Sequence, residues 1–343
     1  MTTDVSMERP VTLADVARRS GVAVSTVSRA LSRPGRVNDV TRERIERVAF
    51  EMGYTARTKL RTSEPTRTPT VALLVSDVTN PFYFDIIRGT QEGARAAGYG
   101  QLLVDTEESE DVEEHMLRTL RGSYDGVVIA APRMSNERLT ALAGQMPIVT
   151  INRLVEGVPS VIIDTPSGIE QAIIHLESLG HTRVAYLCGP TTSWSNATRW
   201  RAMTRAATHR GMTAVRLGPF PPTSDGGTAA ADALVTSGAT AALAFNDLLA
   251  IGVLCRLQDR RVRVPEDLSV VGCDNIFGSD FCFPPLTTLG GPTRQAGRVA
   301  VSMLLGRLEP RFSVGPRDRV LLRTTLTVRG STGPAPVLDP ASA

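Results

Sequence analysis

The chain has 343 residues, 42% of them hydrophobic and 21% charged, which predicts two or three folded units at roughly 100–200 residues each and argues against a disordered, collagen-like or coiled-coil chain. No apolar run reaches the roughly 18 residues of a membrane span, so no membrane partner is expected. The net charge of +3 is unevenly placed: residues 9–61 balance to +7 and the remainder to −4, the electrostatic footprint of a nucleic-acid-binding head on a near-neutral body.

Residues 1–9 read as a polar tail carrying Asp4 and Glu8. They lack the apolar stretch of a signal peptide, so a cytoplasmic protein is expected. Residues 10–54 then predict three short helices. The first opens at Thr12, whose hydroxyl can cap free backbone N–H groups, with Asp15 as its capping-box partner. It runs to about Ser20, and Gly21 supplies a turn. The second spans about Val24 to Ser32, placing Val24, Val27 and Leu31 on one face and Ser25, Thr26, Ser28 and Arg29 on the other. The third starts near Asn38, turns Ile45, Val48, Ala49 and Met52 inward and stops at Gly53. A helix, a glycine turn and a second short helix form a helix-turn-helix, whose second helix can enter the major groove of double-stranded DNA. The alternative is a small helical cap on a larger domain, and the Ser, Thr and Arg face of the second helix argues against it.

The run from Val11 to Ser32, followed by Val37–Ile45 and Met52-Gly53-Tyr54, resembles the DNA-binding head of the LacI/GalR transcriptional regulators in order and spacing. The resemblance implies that Val24 and Ser25 read bases and that Thr26, Ser28 and Arg29 make neighbouring phosphate and base contacts. Thr12, Ser32, Tyr54, Leu60 and Arg61 complete the implied DNA-binding set. Ala23 departs from the family, which usually has a Ser capping the recognition helix, and Ser32 replaces a common Asn.

Residues 55–69 are polar, with Pro65 and Pro69, and read as a linker. In the resembled family this stretch is a hinge helix that wedges a Leu into the minor groove. Here Ala56-Arg57 replaces the usual Pro-Asn opening, and the wedge position falls on Ser63. Either Leu60 acts in a shifted register or the hinge is weak.

From residue 70 to 330, short apolar runs alternate with helical patterns. The runs are Val71–Val75, Leu102–Val104, Gly126–Ala130, Ile148–Ile151, Val161–Ile163, Val184–Cys188, Ala241–Phe245 and Leu268–Cys273. They predict parallel strands covered on both faces, and hence an α/β body of two doubly wound lobes, followed by a tail at 331–343. Ligands of such folds bind beyond the carboxyl ends of strands, which singles out Asp77, Asn80, Asn152, Arg153, Asn246, Asp247 and Asp274. Segments such as Asp77–Phe82, His175–His181, Ala244–Asp247 and Val264–Asp274 resemble the periplasmic-binding-protein-like effector domain of the same regulators. That resemblance implies Arg199 and Asp274 as the leading effector-binding pair, then Asn246, Phe82, Tyr83, Asn152, Trp194 and Phe220. Carboxylate, amide and guanidinium groups suit hydroxyls, and aromatic rings suit a sugar face. Equally, Arg199 and Asp274 can form a structural ion pair, Trp194 can be core, and Asn246-Asp247 can cap a helix.

Neither cofactor nor metal is expected. The four histidines lack Cys or carboxylate partners at metal-ligand spacing, the four cysteines form no C-x-x-C pair, and no nucleophile elbow or phosphate loop is present. An enzyme is not expected. The expectation is a sequence-specific transcriptional regulator, a repressor of carbohydrate-related genes. It binds a pseudo-palindromic operator as a homodimer or dimer of dimers, under control of a sugar-like effector. The rivals are a solute-binding protein for uptake, which calls for a signal peptide and no basic head, and a regulator without a small-molecule effector.

Overall fold

The computed structural model describes residues 12–32, 37–52, 69–309 and 319–336. The expectations placed on Tyr54, Leu60, Arg61, Ser63, the rest of the connector up to residue 68, and residues 1–11 and 337–343 lie outside the described residues. The chain divides into two units, Met1–Arg67 and Thr68–Ala343.

In the first unit, α1 (Leu13–Ser20), α2 (Val24–Ser32) and α3 (Asp39–Glu51) form the head. Thr12 has extended backbone, and Asp15 accepts its backbone N–H at 2.9 Å and its hydroxyl at 2.6 Å, the reciprocal arrangement of a capping box. Gly21 takes the left-handed conformation, φ 67°, that a glycine adopts without strain. The core consists of Val16, Ala17, Val27, Ala30, Ile45 and Ala49, with Leu13, Val22, Leu31, Val37, Val48 and Met52 packed against it. One expectation fails here. Val24, assigned to the apolar face with Val27 and Leu31, is 47% exposed. It occupies the first position of α2, ahead of the turn that α1 and α3 cover, and Ala30 takes the buried place instead.

The second unit contains two six-stranded sheets. The first has the order β11-β5-β4-β3-β1-β2 and the second β12-β10-β9-β8-β6-β7. The first lobe is built from β1 (Thr70–Val75), α4 (Phe82–Ala96), β2 (Gly100–Asp105), α5 (Glu110–Thr119), β3 (Gly126–Ala130), α6 (Asn136–Ala143), β4 (Ile148–Ile151) and β5 (Ser160–Asp164). The second follows as α7 (Thr165–Ser178), β6 (Arg183–Leu187), α8 (Trp194–His209), β7 (Thr213–Leu217), α9 (Gly227–Thr236), β8 (Ala241–Ala244), α10 (Asp247–Asp259), β9 (Ser269–Cys273) and β10 (Thr287–Gly290). The chain then returns: α11 (Thr293–Leu308) packs on α4, β11 (Arg319–Arg323) pairs with β5, and β12 (Thr325–Thr327) closes the second sheet antiparallel to β10. All other pairs are parallel. Three crossings therefore join the lobes, after β5, β10 and β11.

Burial explains the alternation. β1, β3, β4, β6, β8 and β9 are almost entirely buried, as strands covered by helices on both faces must be. The return of α11 is possible because Gly89, Gly93 and Gly297 let it approach α4 closely: a Cβ on Gly89 or Gly297 would overlap the facing backbone. Residues 331–336, expected to begin a tail, are instead stitched into the second lobe. Ser331 Oγ donates to Val270 O and accepts Thr287 N, and Gly333 bonds with Ser269 and His181. The polar composition of this segment satisfies buried backbone rather than solvent. Among the described residues, no helix is long and apolar enough to cross a membrane.

Candidate functional sites in the head and the interlobe cleft

In the head, α2 turns Val24, Ser25, Ser28 and Arg29 outward, while Thr26 is half-buried at the margin. Arg29 Nε donates to Ser25 O at 3.2 Å, folding the guanidinium back along the helix. With Ala at position 23, the helix start has no side-chain cap; Thr26 and Val27 N–H groups bond to the Ala23 carbonyl. Ser32 lies within α2, and Thr12, engaged by Asp15, lies at the start of α1.

In the second unit, the carboxyl ends of the strands of both lobes converge on a narrow cleft. The first lobe contributes Asn80, Phe82, Tyr83, Glu108, Ala131, Arg133 and Asn152; the second contributes Ser193, Ser195, Arg199, Pro222, Phe245, Asn246 and Asp274. Six of the eight expected effector residues thus meet: Phe82, Tyr83, Asn152, Arg199, Asn246 and Asp274. Trp194 and Phe220 are not in the lining. Trp194 is half-buried at the first position of α8, and Phe220 packs against the core of the second lobe. Phe245 supplies the ring on that side.

Four lining residues other than glycine hold left-handed backbone: Glu108 (φ 56°), Ala131 (φ 51°), Asn152 (φ 55°) and Asp274 (φ 123°). Such strain is costly and gathers at functional sites, where the surrounding structure over-determines it. It aims the side chains that follow the strands into the cleft.

Two ion pairs occupy the cleft, one from each lobe: Arg199–Asp274 is buried on both sides, and Arg133–Glu108 joins a buried guanidinium to a half-buried carboxylate. Arg199 Nη2 lies 3.1 Å from Asp274 Oδ1, Nη1 donates to Phe245 O, and the guanidinium sits 5.0 Å from the Phe245 ring centroid. Its Nε is buried without a partner, a donor free for a ligand acceptor. Burial pushes the Asp274 carboxyl up to about 7, against the opposing pull of Arg199. For Arg199, burial acts to lower the value but is outweighed by Cys273 and Asp274, which hold it above its usual range. The guanidinium is protonated at any accessible pH, so the pair titrates through Asp274.

The second pair was not singled out in the sequence. Arg133 Nε donates to Glu108 Oε2 at 2.7 Å and Nη1 to Ala131 O at 2.8 Å. The loop carrying Arg133 is held by Glu113, which accepts the N–H groups of Arg133 and Met134, each at 2.9 Å. Burial raises the Glu113 carboxyl to about 7. Tyr83 feels Arg133 and Glu108 from one lobe and Asp274 from the other, and burial pushes its hydroxyl up to about 12.

The remaining amides serve both structure and cleft. Asn246 Oδ1 caps α10 at Leu249 N and its Nδ2 donates to Pro222 O, while Asn152 Oδ1 accepts Ile163 N. Asp247 turns away, binding Thr288 Oγ1 at 2.5 Å and Ile276 N at 2.9 Å. Of the other polar residues after strands, Asp77 bonds to Thr79 and Arg153 to Met134 O and Asn136. The cavity measures about 30 Å³, room for about two waters at roughly 10–15 Å³ each. A roomier groove of about 400 Å³ runs between α5 and α6. There Arg118 and Arg138 already pair with Glu110 and Glu114 at the surface, and it lies away from the carboxyl ends of the strands. The interlobe cleft holds the convergent polar groups, so it is the stronger candidate.

Comparison with known proteins agrees with both halves of this arrangement. The model for bacterial regulatory proteins of the lacI family matches residues 12–56, and the periplasmic binding protein-like domain matches residues 173–332. The HTH-type transcriptional regulator DegA of Bacillus subtilis (strain 168) is 30% identical over 336 residues, covering 94% of this chain and 98% of DegA. The chain belongs to the LacI family. The HTH-type transcriptional repressor CytR of Escherichia coli (strain K12) is also 30% identical, over 96% of this chain and 98% of its own. The solved structure of a transcriptional regulator CelR–cellobiose complex superposes with a TM-score of 0.68 at 31% identity, covering 94% of this chain and all of that one. This LacI-family protein is a DNA-binding transcriptional regulator, with a helix-turn-helix head and a periplasmic-binding-protein-like body.

Proposed function

We propose that the chain represses carbohydrate-related genes, binding a pseudo-palindromic operator as a homodimer and responding to a sugar-like effector in the interlobe cleft. The observation that carries this reading is the pairing of two ion pairs, Glu108–Arg133 and Arg199–Asp274, across one cleft. Their charges cancel, the buried Arg199 Nε has no hydrogen-bond partner, and Phe82 and Phe245 add aromatic rings to the lining. A neutral polyol satisfies such a site without leaving a buried charge unpaired. The small cavity favours a hinge between the lobes: an occupant larger than two waters requires them to part and close again around it. A ligand that binds one closure state more tightly shifts the lobes toward it, and with them the connectors to the heads.

In this reading residues 10–54 bind DNA, residues 55–69 connect, and the body from residue 70 onward binds effector and dimerises; Thr12, Val24, Ser25, Thr26, Ser28, Arg29 and Ser32 form the described part of the DNA face. The regulator works in the cytoplasm, without enzymatic activity. The test is a salt-titrated footprint of the full-length protein on DNA upstream of its own gene, repeated with a panel of mono- and disaccharides. A protected two-fold site whose occupancy responds to one sugar is expected. Diffuse, salt-sensitive binding without a protected site overturns the operator reading, and a protected site indifferent to every sugar overturns the effector reading.

A further inference from the structure

The DNA reading of the head leads to a statement about which base it reads, and rests on that reading. Every other apolar residue described in α2 is fully or partly buried: Val27 and Ala30 lie in the core and Leu31 packs against it. Val24 alone stands out, 47% exposed at the first position of the helix, beside Ser25. Among the described residues, Val24 belongs neither to the head's apolar core nor to the side chains packed against it. The N-terminal residues of a recognition helix are the ones that reach base edges. Here the first turn holds Val24, Ser25 and Thr26, with no Arg, Lys, Asn or Gln. It therefore cannot make the bidentate contacts that single out guanine or adenine. Arg29, the only residue of α2 with that capacity, lies a turn later with its Nε committed to Ser25 O. A hydroxyl such as that of Ser25 accepts either sense of hydrogen bond and discriminates weakly. The base feature matching an exposed branched apolar side chain in the major groove is the C5 methyl of thymine.

We propose that Val24 packs against the methyl group of one thymine in each operator half-site, and that this apolar contact is the main direct base reading made by the first turn of α2. The test begins with selection of binding sites from a randomised duplex pool by the full-length protein. Each thymine of the selected site is then replaced singly by deoxyuridine, which removes only the C5 methyl. One position per half-site should lose affinity about fourfold, the equivalent of burying one methyl group, and about sixteenfold when both half-sites are changed. In Val24→Ala that sensitivity should vanish. Because Val24 lies outside the core, this variant keeps the head folded, which an unchanged far-UV circular dichroism spectrum and thermal melt verify. A selected site indifferent to every uracil, or equal sensitivity in Val24→Ala, overturns the proposal while leaving DNA binding intact. Failure to enrich any sequence overturns the DNA reading beneath it, and the proposal with it.

Discussion

Replacing Asp274 by Asn separates a structural ion pair from a ligand-reading one, because the two roles predict opposite signs. The Asp274 side chain is 8% exposed and 3.1 Å from Arg199. Its carboxyl is raised from 3.8 to about 7 in the folded protein, chiefly by burial. The folded state therefore binds more protons than the unfolded chain between these values, and stability falls as pH rises through that window. Above pH 7 the ionised group withholds on the order of 4 kcal/mol. Asn keeps the shape and never ionises. The variant should therefore be the more stable protein, by roughly 1–2 kcal/mol at pH 5 and about 4 kcal/mol at pH 8, read from urea unfolding of the full-length chain. Effector response should be lost, with operator affinity retained. If the pair were instead a strut, removing one partner would strand the buried Arg199 and cost about 3–5 kcal/mol. Destabilisation of that size at pH 8 refutes the reasoning, as does a stabilised variant that still responds to effector.

Glu113→Gln carries the same sign. The carboxyl is raised from 4.5 to about 7 by burial, and Gln can still accept the Arg133 and Met134 N–H groups. The variant should gain about 3 kcal/mol at pH 8 and less at pH 5; a loss at pH 8 would show that the negative charge holds the Arg133 loop. Arg29→Ala should weaken operator binding and lower the slope of log affinity against log salt by roughly one if Arg29 meets a phosphate. An unchanged slope removes it from the phosphate contacts. Gly89→Ala places a Cβ against the Arg294 backbone, so α4 and α11 must part, at about 1–3 kcal/mol. A thermal melt indistinguishable from wild type would mean that the seam has slack.

The two charge pairs are each confined to one lobe. Arg199 is tied to Phe245 O and Asp274, all within the second lobe, and Arg133 to Glu108 and Ala131 O, all within the first. No hydrogen bond among the described residues joins the two pairs. Each lobe thus completes its own charge pair. Under the proposed function, an occupant that touches both lobes adds the differential contacts that favour closure.

How much of this could be read in the sequence depends on what each residue has to satisfy. Strands β1, β3, β4, β6, β8 and β9 were legible because two helical layers demand unbroken apolar runs. β7 and β11 were not: they are edge strands, and Arg216, Arg319 and Arg323 interrupt their apolar pattern. β10 was hidden for a different reason. It is buried, but through Thr287 and Thr288, whose hydroxyls bond to Thr332 and Asp247, so polarity there signals internal hydrogen bonding rather than exposure. In the cleft, Asn152 and Asp274 were legible because each directly follows a strand. Glu108 and Arg133 stand three residues beyond theirs, in loops whose direction depends on left-handed backbone at Glu108 and Ala131, residue types that do not announce it. A usable signal existed, since Arg133 is a lone cation after a fully apolar strand, preceded by the carboxylates Glu108 and Glu113. A buried cation requires a partner, and the spacing of those carboxylates in the loop and helix after β2 is the pattern that could have led to it.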